Sequence, residues 1–275
     1  MSTLYGGTPV QGRRITISDL AAAKERHEHW PMITCYDAIT ASIFDEVGFP
    51  VLLVGDSAGM VVLGYDDTIP VTVDQLVMLA AAVVRGSSRA MVVVDLPFGS
   101  CSTPEDAVAN ATRFMKESRA HAVKIEGGQE VVDTVSALVS AGIPVMGHIG
   151  LRPQHVHTMG GYRVQGRGDQ AQQILADAQA LQSAGVFAIV LEVIPMDLAQ
   201  RITESIQIPT IGIGAGPHTD AQVMVWQDLV GLTPGKPAKF VKQYSQLRTV
   251  IHDASHAWAQ DVIAGTYPDA EHSYS

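Results

Sequence analysis

The sequence predicts an α/β protein, a single-domain (β/α)8 TIM barrel. Three observations predict it. Eight short runs of β-branched and apolar residues recur along the 275-residue chain. Segments with helical spacing separate them. A glycine recurs where a helix ends and a strand begins, in Glu46-Val-Gly-Phe-Pro50, Ser140-Ala-Gly-Ile-Pro144 and Ser183-Ala-Gly-Val-Phe187. Glycine takes the left-handed C-cap conformation at no steric cost. Strands alternating with helices imply βαβ units and a parallel sheet, and eight such units close into a barrel. An open doubly wound sheet is the alternative arrangement of the same elements.

The expected strands are Met32–Thr34, Val51–Val54, Met91–Val94, Ala122–Ile125, Pro144–Gly147, Ala188–Leu191, Thr210–Ile213 and a weaker Leu229–Gly231. Most are continuous apolar runs, as strands buried on both faces require. Helices are expected over Pro104–Met115, Glu130–Ser140 and Gln172–Ser183. The first opens with Thr103 as N-cap, Pro104 at N1 and Glu105 in the first turn. Phe240–Ile263 reads as a covering helix. The expected boundaries are a flexible N-terminal segment, 1–14, a catalytic barrel, 15–265, and a C-terminal tail, 266–275.

Composition narrows the partners. Lys and Arg number 18 against 28 Asp and Glu, a formal charge of −10, which argues against non-specific nucleic-acid binding. Cys35 and Cys101 are the two cysteines, so neither a disulfide scaffold nor a thiolate zinc site is expected. No run of 18 apolar residues suggests a membrane span, and the N-terminus lacks the apolar core of a signal peptide. A cytoplasmic protein is expected. Charged residues make up 17% of the chain, below the usual ~25%, which points to surface covered by partner subunits.

Catalytic residues of a barrel sit at the C-terminal ends of its strands. Here five consecutive strand ends are ionisable. The second ends in Gly55-Asp56-Ser57, the third in Asp95, the fourth carries Lys124 and Glu126, the fifth His148, the sixth Glu192. A single buried acid is often structural. Five such ends demand pairing or a metal. Asp56, Asp95 and Glu126 are hard oxygen donors suited to Mg²⁺; neutralisation by Lys124 is the structural alternative. Lys124 and Glu126 are two apart on a strand and share a face. An ammonium beside a magnesium site suits an anionic substrate such as a carboxylate. Glu192, two strands beyond, is a candidate general base. Tyr36 is a candidate for the mouth, and His148 is either a wall residue or an acid–base group. His155-Val-His157 has the spacing of a metal pair without a third ligand. Gly212-Ile-Gly-Ala-Gly216 lacks the dinucleotide-binding spacing. Two long segments, 55–74 and 150–169, have the length of lids or binding loops.

At these residues the chain resembles the ketopantoate hydroxymethyltransferase family. The carrying motifs are Thr34-Cys-Tyr-Asp37, Val54-Gly-Asp-Ser57, Asp95-Leu-Pro-Phe98, Lys124-Ile-Glu-Gly-Gly128, Gly147-His-Ile-Gly-Leu151, Gly160-Gly-Tyr-Arg-Val-Gln-Gly-Arg167, Gly212-Ile-Gly-Ala-Gly216 and a closing Glu271-His-Ser273. The resemblance implies a barrel of the phosphoenolpyruvate/pyruvate superfamily. It implies transfer of a hydroxymethyl group from 5,10-methylenetetrahydrofolate, as co-substrate, to 3-methyl-2-oxobutanoate. The product is 2-dehydropantoate, for pantothenate synthesis. It assigns one Mg²⁺ per subunit to Asp56 and Asp95, with Glu126 beside it. It assigns the oxo acid to Ser57 and Lys124 with Asp56 and Asp95, and proton abstraction to Glu192. It also implies a homodecamer. Gln227 departs from the pattern, since many relatives carry His there. Two rivals are a Mg²⁺-dependent C–C lyase acting on a 2-oxo acid, which needs no folate, and a catalytically silent scaffold barrel, which has no need of the intact rim.

Overall fold

The computed structural model describes Leu4 and residues 13–275. Eight parallel strands close into a barrel in chain order. They are β1 (Trp30–Thr34), β2 (Val51–Val54), β3 (Met91–Asp95), β4 (Ala122–Glu126), β5 (Val145–Gly150), β6 (Ala188–Glu192), β7 (Thr210–Ile213) and β8 (Ala221–Met224). Closure comes from β1 against β8, with Trp30 opposite Ala221 and Met32 opposite Val223. The helices are α1 (Ile17–Glu25), α2 (Ala38–Val47), α3 (Ala58–Val61), α4 (Val73–Gly86), α5 (Pro104–Arg113), α6 (Val132–Ser140), α7 (Val156–Met159), α8 (Gln170–Ala184), α9 (Met196–Ser205), α10 (Trp226–Leu229) and α11 (Leu247–Ala264). Among the described residues, no helix is long and apolar enough to cross a membrane.

Local chemistry explains the elements. Thr103 caps α5 by accepting the Asp106 N–H at 3.1 Å, with Pro104 in the first turn. The three recurrent glycines, Gly48, Gly142 and Gly185, have φ of 97°, 80° and 99° and turn the chain from helix to strand. Seven strands fall where apolar runs place them. The eighth does not: it is Ala221–Met224, and Leu229 instead ends α10. The reason is that β8 is short and alternating. Ala221 and Val223 are buried in the core, but Gln222 between them is exposed, so no continuous apolar run marks it.

Strand periodicity sets the barrel interior. Met91 and Val93 on β3, Ala122 on β4, Met146 on β5, and Ala188 and Val190 on β6 belong to one buried cluster. The next residues on the same faces are Asp95, Lys124, His148 and Glu192, because side chains two apart point the same way. The apolar layers thus form the floor beneath a charged rim. At the opposite end, Leu20 and Ala23 of α1 pack with Trp30 and close the barrel.

The chain gathers into two compact units, Met1–Val225 and Trp226–Ser275. The second contains α10 and α11. Its turns are tied by the Tyr244 N–H to Leu229 O at 2.8 Å and the Leu247 N–H to Val230 O at 2.8 Å. It contains Gln227, which is buried. Helix α11 ends on Gly265. Most of segment 1–14 lies outside the described residues. Within it, Arg14 donates to Ala90 O at 2.6 Å and to Ser87 O at 2.7 Å.

One carboxylate fastens α2 to the turn before β3. Asp45 accepts the N–H groups of Ser88 at 2.9 Å, Arg89 at 3.1 Å and Ala90 at 2.7 Å, and the Ser88 hydroxyl at 2.9 Å. Burial alone would raise its pKa; these donors outweigh burial and hold it below the usual range. A carboxyl with a lowered folded pKa stabilises fully above its unfolded pKa and loses that contribution as pH falls through the folded value. Asp45→Ala is therefore expected to cost about 2 kcal/mol at pH 7. The gap to the parent should narrow below about pH 4, as read by urea denaturation across pH.

Candidate active site

The C-terminal rim of the barrel gathers Asp56, Asp95, Lys124, Glu126 and His148, all buried, with Glu192 at its edge. Asp95 Oδ2 accepts the Asp56 N–H at 3.0 Å, which joins the ends of β2 and β3. Its Oδ1 lies 3.1 Å from Lys124 Nζ on neighbouring β4. Burial would strip the Lys124 proton, but Asp95, Glu126 and Asp56 outweigh burial and hold the ammonium charged. Ser57, beside Asp56, shares a 2.8 Å hydrogen bond with the Tyr36 hydroxyl at the end of β1. Burial pushes that phenol's pKa upward, so it stays neutral.

His148 links the two halves of the rim. Its Nδ1 is 3.0 Å from Lys124 Nζ and 3.4 Å from Glu126 Oε1; its Nε2 is 3.1 Å from Glu192 Oε2. Burial and Lys124 lower its pKa, but Glu126 and Glu192 outweigh them and raise it to about 9. The 3.0 Å Lys124–His148 contact is attractive only when one of the two nitrogens lacks a proton. Lys124, His148 and Glu126 therefore titrate as one unit. Glu192 alone of the acids reaches water, with 16% of its side chain exposed.

Val193, which follows Glu192, has φ of 48°. That conformation costs a β-branched residue about 1–3 kcal/mol. It is held by the Val193 N–H to Ile213 O at 2.8 Å and by the Gln165 N–H to Val193 O at 3.0 Å. Gly150 at the end of β5 also turns with φ of 94°, and a Cβ there would lie 2.3 Å from Glu192 O. The backbone around Glu192 thus tolerates only this glycine and is bent at the next residue.

The charge balance favours a bound cation. Four carboxylates, Asp56, Asp95, Glu126 and Glu192, face Lys124 and His148. Burial first, then Asp95 and Glu126, push the Asp56 pKa well up. Asp95 Oδ1 and Glu126 Oε1 are buried without an aligned hydrogen bond. Among the described residues, no three His, Cys, Asp or Glu side chains converge into a metal cage. By donor chemistry, the hard carboxylate oxygens of Asp56 and Asp95 would fit Mg²⁺, which commonly takes one or two carboxylates and keeps several waters.

Every rim residue expected from the sequence comes to one place. Two others join them without having been marked as site residues. Gln154, in the turn Pro153–His155, is buried. Its Nε2 donates to Asp56 Oδ2 at 2.7 Å and Leu96 O at 3.0 Å, and its N–H donates to Glu126 Oε2 at 3.1 Å. His155 Nδ1 lies 3.8 Å from Glu126 Oε2. Burial raises the Glu126 pKa, but His148, His155 and Lys124 outweigh it and hold the carboxyl well below its usual range. The only sequence signal for Gln154 was its place in a long loop after β5, whereas His155 also stood in the His155-Val-His157 pair.

The family model for ketopantoate hydroxymethyltransferase matches residues 14–270. The chain belongs to the ketopantoate hydroxymethyltransferase family. It is therefore an enzyme. A member from Thermobifida fusca, named 3-methyl-2-oxobutanoate hydroxymethyltransferase, is 60% identical over 274 residues, covering 99% of this chain and 97% of that one. A Streptomyces coelicolor member of the same name is 59% identical, covering 98% and 92%. Solved structures of similar fold include phosphonopyruvate hydrolase in complex with oxalate and Mg²⁺ (12% identity, TM-score 0.61, 93% of this chain and 92% of that one). Another is 2,3-dimethylmalate lyase (16% identity, TM-score 0.60, 94% and 91%). At these identities the likeness is one of fold.

The excess of buried negative charge in this family member has a stability consequence. An acid whose folded pKa is raised destabilises the fold once it ionises. Asp56→Asn keeps an acceptor for Gln154 and removes the charge. In a chelating buffer it is expected to be more stable than the parent by about 0.5–2 kcal/mol, the common size of such gains at functional sites. Mg²⁺ should raise the melting temperature of the parent more than that of the variant.

Proposed function

We propose that this enzyme transfers a hydroxymethyl group from 5,10-methylenetetrahydrofolate to 3-methyl-2-oxobutanoate, giving 2-dehydropantoate and tetrahydrofolate, as a step of pantothenate synthesis. What carries the reading is full-length identity of 60% with a relative of that name, in a chain whose rim carries Asp56, Asp95, Lys124, Glu126 and Glu192. Asp56 and Asp95 would hold Mg²⁺, with Glu126 behind them through water. Held there, the ion would supply Lewis-acid stabilisation of negative charge on the keto oxygen.

The remaining roles fall to the chain itself. Lys124 and Ser57 bind and orient the oxo-acid carboxylate, together with the Asp56 and Asp95 side of the site. Glu192 takes the C3 proton, leaving the electron pair that forms the new carbon–carbon bond. His148, 3.1 Å from Glu192 Oε2, orients that carboxylate. The methylene carbon exchanges one folate nitrogen for C3 and the other for the oxygen of water, and the two freed nitrogens take up the C3 proton and one proton of that water. Partial exposure of Glu192 gives the proton a route to solvent.

We also propose a cytoplasmic homo-oligomer, a decamer as in the family resemblance. The low charged fraction supports this. So does an apolar stripe of exposed Ile39, Ile43 and Val47 on α2 beside exposed Met78 on α4. The second reading is a Mg²⁺-dependent C–C lyase, favoured by the fold likeness to 2,3-dimethylmalate lyase. A lyase would act without folate.

One set of assays separates these readings. Product from 3-methyl-2-oxobutanoate is expected only with both 5,10-methylenetetrahydrofolate and Mg²⁺. Without folate, the parent should exchange the C3 hydrogen with D₂O, followed by NMR. Glu192→Gln should still bind the oxo acid yet lose about 10²–10⁴-fold in exchange, the usual contribution of a positioned base. Exchange at the parental rate would remove Glu192 as the base.

A further inference from the structure

We propose that Gln154 is a positioning residue, through which the 151–169 loop sets the orientation of Asp56 and Glu126. Its side-chain amide has two N–H donors, and both are used. One meets Asp56 Oδ2 at 2.7 Å and the other Leu96 O at 3.0 Å, just past the end of β3. Its backbone N–H meets Glu126 Oε2 at 3.1 Å at the end of β4. One residue of a loop thus binds the ends of three different strands, from a position that is buried.

The chemistry of the contacts gives the consequence. A carboxylate held at one oxygen by a fixed amide cannot rotate freely, so Gln154 leaves Asp56 Oδ1 as the oxygen free for a ligand. The amide donor also lies against a carboxylate repelled by Asp95 and Glu126, and it offsets part of that repulsion. At Glu126, the same residue occupies Oε2 and leaves Oε1 towards His148. The loop is pinned a second time by the Gln165 N–H on Val193 O, next to Glu192. Gln154 is thereby the member of the loop that reaches Asp56, while His155 beside it lies 3.8 Å from Glu126 Oε2. This rests on Asp56 as a metal ligand, as proposed above; the contacts themselves do not.

The test uses the full chain with Gln154→Met, which keeps the side-chain volume and removes both donors, and with Gln154→Ala. Divalent binding is read with Mn²⁺ by electron paramagnetic resonance, without turnover. Both variants should bind Mn²⁺ about 10–100-fold more weakly, the usual loss when a partner behind a metal ligand is removed. Backbone amides of 151–160 should exchange with deuterium about tenfold faster or more, the scale of one lost hydrogen bond to a charged group. Gln165→Ala, whose side chain donates to Arg163 O within the same loop, should match the parent in both. Parental Mn²⁺ affinity in folded Gln154→Met overturns the proposal, and so does a loss confined to Gln154→Ala, which would make volume the operative property. If the parent itself binds no Mn²⁺, the metal reading of Asp56 fails, and exchange alone decides. Unchanged protection in Gln154→Met then overturns the positioning role, and faster exchange upholds it.

Discussion

The Lys124 ammonium, buried 3.1 Å from Asp95, is the interaction on which the site depends. Charge this deep is tolerated only when paired and hydrogen-bonded. One lysine and one histidine oppose four carboxylates, so the pairing is incomplete. The barrel makes this possible because its strands are buried on both faces and already satisfy their backbone groups through the ladder. Below the rim, Val93, Ala122, Met146 and Val190 form a rigid apolar floor. The charges cannot sink into it and cannot spread apart. Their electrostatic cost is what the proposed cation and anionic substrate would offset.

The loop after β5 belongs to the same balance. Gln154 touches Asp56 and Glu126, the acids of the proposed metal side, and Gln165 holds the strained Val193 beside Glu192. A conformation that costs energy at Val193 persists only when its surroundings fix it. The two ties place the proposed metal-binding acids and the proposed base under one segment. With the segment in place, Asp56, Asp95, Glu126 and His148 are buried, and charges act more strongly in a low dielectric.

Much of this was legible in the sequence for a simple reason. Inward-facing residues of a strand recur every second position, so Met91-Val-Val-Val-Asp95 and Ala122-Val-Lys-Ile-Glu126 announce both floor and rim. The rim residues Asp56, Asp95, Lys124, Glu126, His148 and Glu192 followed from strand ends alone. β8 did not, because its exposed Gln222 breaks the apolar run by which buried strands are recognised. Gln154 did not either. Its role depends on where an irregular loop folds back, and no periodicity encodes that. His155 had a visible motif, His155-Val-His157, yet its partner is Glu126, distant in sequence. Residues that act across loops are found by geometry, whereas residues on strands are found by pattern.

The claim that the buried carboxylate excess forms a joint site for a divalent ion and a 2-oxo acid has a direct thermodynamic test. Calorimetric titration of 3-methyl-2-oxobutanoate into the full chain, in Mg²⁺ and separately in a chelating buffer, measures the coupling between the two ligands. Reciprocal coupling is required by linkage, typically 5–150-fold. The account predicts oxo-acid binding at least about tenfold tighter with Mg²⁺ present. Equal affinity in the two buffers, or no binding in either, would contradict it.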